Sequence, residues 1–579
     1  MKHLKDNTAP IMGQRSGALG LAHGRVYFLM AIFVLAFFVI TVRVYDLMLL
    51  QGAFNEEAKT KLYERRMAET VEDQDSAKRA DIIDRNGVLL ATSLKITSLY
   101  ADPKIMVDPP ETAQLLTKIF PDLSYGDLLK KFEDKKKRFV WLKRNITPAQ
   151  QNAIMYIGDP GLAFRDEYKR FYPQGSLTSH LVGFTNIDGK GLAGIERSYN
   201  SILRSNAATD EPLRLTVDTR LQHILRREVE AAQKDFSGIG SAGLIMEAKT
   251  GNILAAVSLP DFDPQHPQNS ESAPMFNRVF QGVYEMGSTF KIFSTAALLE
   301  TKNIGLGQTF DVRQPLKRGN FTIKDFHPEN RILTLPEVFM YSSNIGTALM
   351  GEMTGTANLK SFYRKLGFFD KPVADLDEVG QPLYPKNWRE LNTLTATYGH
   401  GVAVSPLQVT GAVATIVNGG TKVMPSLVQA PDIVQAKEKI SSAPRVVSAQ
   451  TSENMRRLMR LVVTNGTGRK ADVEGFEVGG KTGTAEKIVG GRYDHNKRVA
   501  SFVAAFPIEE PEYVVFVMVD EPKPNKKSYG YATAGWVAAP AAARVISNMG
   551  SVLGMPAVEV AHDAAEPLLQ YVSTKGGHE

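Results

Sequence analysis

A single long apolar segment sets the broadest constraint on how this chain can be organised. Residues 26–42 are apolar except for Thr41, and a helix of this length spans about 25 Å, slightly less than the hydrocarbon core of a membrane. Tyr27 and Tyr45 stand where the two membrane interfaces would lie. No other stretch of the sequence is long and apolar enough to cross a bilayer. The sequence therefore predicts a single-pass protein with a large part outside the membrane.

The charges around this segment predict its orientation. Four basic residues and one acidic residue precede it: Lys2, Lys5, Arg15, Arg25 and Asp6. This excess of positive charge places the N-terminus in the cytoplasm and everything after Arg43 outside. A cleaved signal peptide is the alternative, but residues 43–50 continue a bulky helical pattern with no small-residue cleavage site close behind. We therefore expect residues 1–25 to be a cytoplasmic tail and residues 26–46 a retained anchor.

Composition excludes several classes of function. The 579 residues are 43% apolar and 22% charged, which is ordinary for globular protein, and the net charge of +6 is spread along the chain. The densest basic cluster, residues 130–138, is interleaved with Glu133 and Asp134, so we interpret it as a solvated helix face and expect no nucleic-acid partner. The chain has no cysteine, which excludes disulfides, thiolate catalysis and cysteine-bound zinc.

The region after the anchor mixes short strands and helices. Asn86-Gly87 between two apolar runs predicts a hairpin turn. Residues 206–212 have the composition of a linker, and a helix is expected to begin at about residue 219, capped by Asp218 or Thr219. We expect residues 47–234 to form a non-catalytic pedestal of the kind used for positioning or dimerisation.

A second unit is expected over residues 235–555, followed by a loosely ordered tail, residues 556–579. Strands are predicted at residues 242–247, 253–258, 476–481, 499–506 and 513–520, with a long helical region to about residue 416 and a final helix over residues 535–549. Strands at both ends with helices between predict an α+β domain with an antiparallel sheet flanked by helices.

Ser288 and Lys291 are the first candidate catalytic pair. They are three residues apart at the start of a predicted buried helix, so they share a face, and Gly287 marks the expected helix start. Ser288 in the first turn would have free backbone N–H groups and the positive end of the helix dipole beside it. Burial or a second cation would lower the pKa of Lys291 enough for it to act as a base.

Two further motifs follow in order. Ser342-Ser343-Asn344 offers a hydroxyl and a carboxamide two residues apart, and Lys481-Thr482-Gly483-Thr484 offers a cation and two hydroxyls at a strand edge. Gly483 is expected to let a ligand approach the backbone. Competing matches exist at Ser198-x-Asn200, at Ser452-x-Asn454, which is interpreted as a helix N-cap, and at Lys249-Thr250-Gly251, which is assigned to a hairpin turn. Ser-x-x-Lys, Ser-x-Asn and Lys-Thr-Gly in this order are the signature of penicillin-recognising serine acyl-transferases.

The chain resembles the class B penicillin-binding proteins from the anchor to the last helix. The resemblance also rests on the segments Arg79…Asp84-Arg85-Asn86-Gly87, Arg170-Phe171-Tyr172-Pro173, Gly191-Leu192-Ala193-Gly194-Ile195-Glu196, Pro406-Leu407-Gln408, Gly466-Thr467-Gly468 and Asp520-Glu521-Pro522-Lys523. Asn344 at the end of the second motif is more like the division-specific (FtsI-type) members than the elongation members. Met286 departs from the family, which usually has proline there. No part of the N-terminal region leaves room for a glycosyltransferase domain.

The resemblance implies a peptidoglycan D,D-transpeptidase of septal wall synthesis that is also a target of β-lactams. It implies Ser288 as nucleophile, Lys291 as base, Ser342 as proton relay and Asn344 as the residue that orients Lys291. It also implies that Lys481, Thr482 and Thr484 bind the terminal carboxylate of the stem peptide beside Gly483, and that the N–H groups of Ser288 and Thr484 form the oxyanion hole. No metal or cofactor is expected. The implied partners are an FtsW-type glycosyltransferase and other division proteins in the bacterial inner membrane, with the catalytic domain in the periplasm.

Three other interpretations remain. A β-lactamase on the same fold needs a glutamate in a Glu-x-x-Leu-Asn pattern, but Trp388 stands three residues before Leu391-Asn392. An elongation-type transpeptidase differs in its place of action. A non-catalytic sensor or scaffold would have no need of all five residues Ser288, Lys291, Ser342, Asn344 and Lys481.

Overall fold

The computed structural model describes residues 27, 30–42, 78–270, 272–430, 441–557 and 563–573. The chain divides into two compact units, Met1–Asp75 and Ser76–Glu579. In the first unit residues 30–42 are helical, with exposed side chains. Among the described residues no helix is both long enough and apolar enough to cross a membrane. The predicted cytoplasmic tail, residues 1–25, and both ends of the predicted anchor, residues 26–46, lie outside the described residues.

The second unit contains sixteen strands among its described residues, which we number in chain order. They are β1 Ile82–Ile83, β2 Leu89–Ala101, β3 Val140–Ile146, β4 Leu162–Phe171, β5 Leu213–Arg214, β6 Gly240–Glu247, β7 Ile253–Leu259, β8 Tyr284–Glu285, β9 Thr309–Asp311, β10 Leu316–Arg318, β11 Phe321–Ile323, β12 Ile332–Thr334, β13 Ala403–Val404, β14 Gly479–Val489, β15 Arg492–Phe506 and β16 Tyr513–Asp520.

The α-helices of this unit are numbered in the same way. They are α1 Pro109–Ile119, α2 Tyr125–Glu133, α3 Pro148–Met155, α4 Ser179–Val182, α5 Gly194–Ser198, α6 Asn200–Ser205, α7 Thr219–Asp235, α8 Ser272–Met275, α9 Lys291–Lys302, α10 Leu335–Met340, α11 Asn344–Thr354, α12 Thr356–Lys365, α13 Glu390–Thr397, α14 Pro406–Val417, α15 Ala449–Thr464 and α16 Ala534–Leu553.

The N-terminal part of this unit is built on a sheet of five strands in the order β3-β2-β1-β5, with β4 also paired to β2. The turn between β1 and β2 contains Gly87 at φ +89°, which confirms the predicted hairpin. Asp84 in that turn accepts hydrogen bonds from the backbone and hydroxyl of Thr219, and Asp218 caps α7. The hairpin therefore fixes the start of the helix that leads into the C-terminal part.

A buried ion cluster holds three separate segments of this region together. Arg79 and Arg170 both donate to the Glu196 carboxylate, at 2.8 and 2.6 Å, and all three side chains are almost fully buried. Arg79 also donates to the backbone oxygens of Gly189 and Glu196 and to Asn200. Removing one partner would leave a buried charge unpaired, at a cost of about 3–5 kcal/mol.

The C-terminal part is a five-stranded antiparallel sheet in the order β14-β15-β16-β6-β7. Side chains of β16 alternate between two cores: Val514, Phe516 and Met518 pack in one, and Val515, Val517 and Val519 in the other. Helices α7 and α16 cover the second face, and α9, α14 and α15 contribute to the core on the first. The α+β prediction of an antiparallel sheet flanked by helices is confirmed.

Several predicted details are wrong. The region between Ser288 and residue 416 is not continuously helical, because β9 pairs with β12 and β10 with β11 as short ladders. The first late strand begins at Gly479 rather than at residue 476. Ser448, not Ser452, caps α15, and the Ser452 hydroxyl instead accepts a hydrogen bond from Gly419. Residues 563–573 are ordered against the body, because Leu568 is buried and Arg460 pairs with Asp563.

Candidate active site

Ser288 lies in a tight turn that is pressed against the edge strand of the sheet. The turn Gly287–Phe290 is a 3₁₀ helix, and the α-helix α9 begins only at Lys291, so Ser288 precedes the α-helix rather than lying in its first turn. Gly287 has φ +50°, and a Cβ there would lie 2.5 Å from the Thr484 carbonyl oxygen. Glycine is therefore required by both the backbone conformation and the contact.

Lys291 is fully buried and faces the second motif. Its ammonium nitrogen contacts the Ser342 carbonyl oxygen, lies 3.1 Å from Ser342 Oγ and lies 2.8 Å from Asn344 Oδ1. Among the described residues no hydrogen bond joins Lys291 to Ser288. Burial lowers the pKa of Lys291 well below that of a free lysine, the nearby Lys481 lowers it further, and Asp325 raises it.

The geometry of Ser342 comes from its place between two helices. It follows α10 and has φ +60°, a backbone conformation that residues other than glycine seldom adopt. The next residue, Ser343, caps α11 by accepting a hydrogen bond from Gly346. This local fold places the Ser342 hydroxyl and Asn344 against Lys291.

Asp325 is a functional residue that the sequence did not indicate. Its carboxylate accepts hydrogen bonds from Ser343 Oγ at 2.7 Å and from the backbone N–H groups of Asn344 and Ile345 at 2.6 and 2.9 Å. The neighbouring Lys324 carbonyl accepts from Asn344 Nδ2 at 3.1 Å. The strand β11 that precedes these residues therefore positions the Ser-x-Asn motif from outside it. The sequence shows Asp325 only as an acidic residue, a type that is favourable near a helix N-terminus. That it lies beside the start of α11 could be seen only in the folded structure.

Lys481 contacts the same hydroxyl as Lys291, that of Ser342. Its nitrogen lies 3.0 Å from Ser342 Oγ and 3.4 Å from the Thr482 carbonyl oxygen, and its side chain is fully buried. Burial lowers the pKa of Lys481 to about 7. The sequence suggested a cation at this position, and the structure adds that burial weakens the hold of this amine on its proton.

The two threonines of the third motif are held by neighbours on other elements. The hydroxyls of Thr482 and Thr467 lie 2.8 Å apart, and Thr484 Oγ1 accepts a hydrogen bond from the first backbone N–H of α16. The tight packing of Gly287 on Thr484 also brings the Ser288 turn next to this strand. The predicted oxyanion pair, the N–H groups of Ser288 and Thr484, therefore belongs to two elements in contact.

Gly483 makes a close contact within the protein that the sequence did not indicate. A Cβ at this position would lie 2.2 Å from Thr289 Oγ1 and 2.5 Å from the Met286 carbonyl oxygen. Glycine is needed because the turn that carries Ser288 packs directly on the strand, so the close approach is made by the protein itself.

These groups open into one cleft of about 610 Å³. Its lining includes Ser288, Ser342, Asn344, Thr482, Thr484, Thr467, Tyr398, His400, Glu486, Arg498 and Trp536. All of the predicted site residues therefore lie in or directly beside one cavity, with Lys291 and Lys481 buried behind Ser342. The competing match Lys249-Thr250-Gly251 lies instead in the turn between β6 and β7, as predicted, where Thr250 bonds to Glu247.

Two family descriptions match the chain. "Penicillin binding protein transpeptidase domain" matches residues 241–546, and "Penicillin-binding Protein dimerisation domain" matches residues 74–222. The gap between these two ranges contains the expected boundary between residues 234 and 235.

Similar proteins of known name cover most of the chain. One is "Probable peptidoglycan D,D-transpeptidase FtsI" of Caulobacter vibrioides, 39% identical over 82% of each chain. "Probable peptidoglycan D,D-transpeptidase PenA" of Neisseria meningitidis is 31% identical over 83% of this chain and 85% of the relative. The peptidoglycan D,D-transpeptidase FtsI of Escherichia coli is 28% identical over 83% and 84%. The crystal structure of penicillin-binding protein 3 from Mycobacterium tuberculosis, complexed with aztreonam, has the same fold, with a TM-score of 0.65 at 23% identity over 83% of this chain and 98% of that one.

Proposed function

Because the chain belongs to the penicillin-binding protein transpeptidase family, we propose that it is a class B peptidoglycan D,D-transpeptidase that acts through a serine acyl-enzyme. The observation that best supports this function is that two buried lysines, Lys291 and Lys481, both contact the hydroxyl of Ser342 in the cleft that contains Ser288. Both amines lie within 3.1 Å of Ser342 Oγ. Two buried ammonium groups so close together cannot both keep a proton, so the site holds a neutral amine ready to accept one.

In the first half-reaction Ser288 Oγ attacks the carbonyl carbon of the last peptide bond of a D-alanyl-D-alanine stem peptide. Lys291 takes the proton of the hydroxyl, and the N–H groups of Ser288 and Thr484 stabilise the oxyanion. When the tetrahedral intermediate collapses, the carbon–nitrogen bond breaks and the proton passes from Lys291 through Ser342 to the departing D-alanine amine. Asn344 keeps Lys291 directed at this relay, as their 2.8 Å contact indicates.

In the second half-reaction the amine of another stem peptide attacks the ester carbon. Its proton returns through Lys291 to Ser288, the ester bond breaks, and a new amide joins the two peptides. Protonated Lys481, with the hydroxyls of Thr482 and Thr484, binds the terminal carboxylate of the first peptide. That carboxylate in turn favours the charged form of Lys481.

A test of the chemistry is the fate of benzylpenicillin. We expect intact-protein mass spectrometry to show a single adduct that persists for many minutes, and Ser288→Ala to show none. Trp388 stands where the lactamase pattern requires glutamate, and its indole donates to Thr393 instead of lining the cleft. Rapid hydrolysis of nitrocefin without an adduct would establish the lactamase alternative. An adduct without cross-linking of any stem peptide would establish the sensor or scaffold.

We further propose that the protein is anchored in the bacterial inner membrane by residues 26–46, with the N-terminus in the cytoplasm and the catalytic domain in the periplasm. The apolar run and the basic residues before it support this placement. The FtsI names of its relatives support a septal role, which implies an FtsW-type glycosyltransferase and other divisome membrane proteins as partners. A fluorescent fusion is expected at midcell in dividing cells, and a patchy lateral distribution would establish the elongation alternative.

A further inference from the structure

The cleft continues past the groups that the reaction uses. Beyond Thr484 its lining includes the charged residues Glu486 and Arg498, which have no role in acyl transfer. A D-alanyl-D-alanine end beside Ser288 and the two threonines leaves this part of the cleft for an earlier residue of the same peptide. The identity of that residue can be inferred from the strand geometry, given the transpeptidase function proposed above.

Strand β14 is the edge of its sheet, so one row of its backbone groups is not used within the sheet. An extended peptide can add to such an edge as an antiparallel strand. Thr482, Thr484 and Glu486 alternate along β14 and therefore share one face, and the bulge in the strand comes only after Glu486. If the terminal residue of the peptide lies opposite Thr484, the residue two positions earlier lies opposite Glu486, about 7 Å away. In a stem peptide that residue is the diamino acid.

The two opposite charges at this point, Glu486 and Arg498, do not pair with each other. Glu486 and Arg498 are direct cross-strand partners on β14 and β15, a position at which opposite charges ordinarily pair. Glu486 instead bonds to the ring of His495 at 2.7 Å. The half-buried Arg498 guanidinium makes no hydrogen bond or ion pair with another described residue. The cleft therefore presents one carboxylate and one unpaired guanidinium next to each other.

We propose that Glu486 and Arg498 form a subsite for the diamino acid of the donor peptide, selecting a side chain that ends in both an amine and a carboxylate. Glu486 binds the ammonium group, and Arg498 binds the carboxylate with its forked donors. A side chain that ends in an amine alone, as in lysine, leaves Arg498 without its partner. The subsite is thus specific for a diamino dicarboxylic acid.

The test uses two penicillins of equal length. The acyl side chain of one ends in a carbon bearing an amine and a carboxylate, and its analogue has hydrogen in place of that carboxylate. The second-order rate of Ser288 acylation, measured by mass spectrometry, is expected to be about tenfold to a hundredfold higher for the first compound. Arg498→Gln should bring the two rates together. Glu486→Gln should slow both compounds, because both carry the ammonium group.

The matched control is Arg492→Gln, at the exposed start of the same strand and outside the cleft lining, which should keep the wild-type ratio. Equal rates for the two penicillins on the wild-type protein would overturn the proposal, as would a preference that survives Arg498→Gln. Benzylpenicillin on the wild-type protein separates the two proposals. If it forms no adduct, the transpeptidase function fails; if it forms one and the ratio is unity, only the subsite fails.

Discussion

Raising the pH should remove the carboxylate-binding charge of the site at Lys481. Burial lowers the pKa of this amine to about 7 in the free protein. An amine that must be protonated to bind a carboxylate binds it at pH values below its pKa and loses that binding at pH values above it. The second-order rate constant for acylation reports ionisation of the free enzyme, so its falling limb should lie near pH 7.

The size of the effect follows from the same value. Each pH unit above the pKa reduces the charged fraction about tenfold, so at pH 9 only about 1% of Lys481 carries its proton, equivalent to about 3 kcal/mol of lost binding. Lys291 acts in the opposite sense, because it must be neutral. Its pKa is lowered by burial and by Lys481 and raised by Asp325, so the rising limb should lie far below the range of a free lysine. Together the two lysines predict a bell-shaped profile.

Lys481→Arg separates the two limbs. A guanidinium stays protonated throughout the accessible pH range, so the falling limb should disappear while the rising limb remains. The assay is stopped-flow acylation by a fluorescent penicillin from pH 5 to 9, with each variant compared with its own maximum so that a lower absolute rate does not matter. Circular dichroism across the same range controls for unfolding. The reasoning is refuted if Lys481→Arg keeps the wild-type falling limb, or if the wild-type rate does not fall between pH 7 and 9.

Three further substitutions test separate parts of the site. Lys291→Arg should abolish acylation, because a guanidinium cannot act as the base; a mass-spectrometric adduct at near wild-type rate would show that the proton leaves Ser288 by another route. Asp325→Asn should move the rising limb to lower pH, because the carboxylate raises the pKa of Lys291. It should also lower Tm by about 3 °C, because losing charged hydrogen bonds at a helix N-terminus reduces the free energy of unfolding by about 2 kcal/mol. An unchanged limb in the pH profile would mean that Asp325 has a structural role only. Gly483→Ala should slow acylation at least about tenfold, because its Cβ would lie 2.5 Å from the Met286 carbonyl oxygen. The control Gly305→Ala, whose Cβ meets nothing within 4 Å, should leave the acylation rate unchanged. Equal rates for the two variants in a penicillin-binding assay would contradict this prediction.

The catalytic motifs could be found from the sequence because each is a short pattern whose residues are close along the chain. Ser288 and Lys291 are three residues apart, and Ser342 and Asn344 are two, so local backbone geometry nearly decides their relation. The apolar, valine-rich run at 513–520 was equally visible, and the sheet has the predicted antiparallel form.

What the sequence did not reveal depends on contacts between distant segments. Asp325 serves Asn344 from a separate hairpin, and no spacing rule connects the two. The charge of Lys481 depends on burial, which is a property of the whole fold. The role of Gly483 depends on where the turn of Ser288 comes to lie, and the packing of residues 563–573 depends on Arg460 a hundred positions earlier.

The order of strands in the catalytic sheet also determines when the domain can form during synthesis. Strand β6 pairs on one side with β7, which follows it at once, and on the other with β16, so that Glu247 faces Tyr513 across 266 residues. At about 5–20 residues per second the ribosome needs roughly 13 to 53 s to cover that distance. Throughout this interval the hairpin of β6 and β7 is complete but has an unpaired apolar edge, which is a template for aggregation. A nascent chain of this protein therefore carries this unpaired edge until β16 has been made.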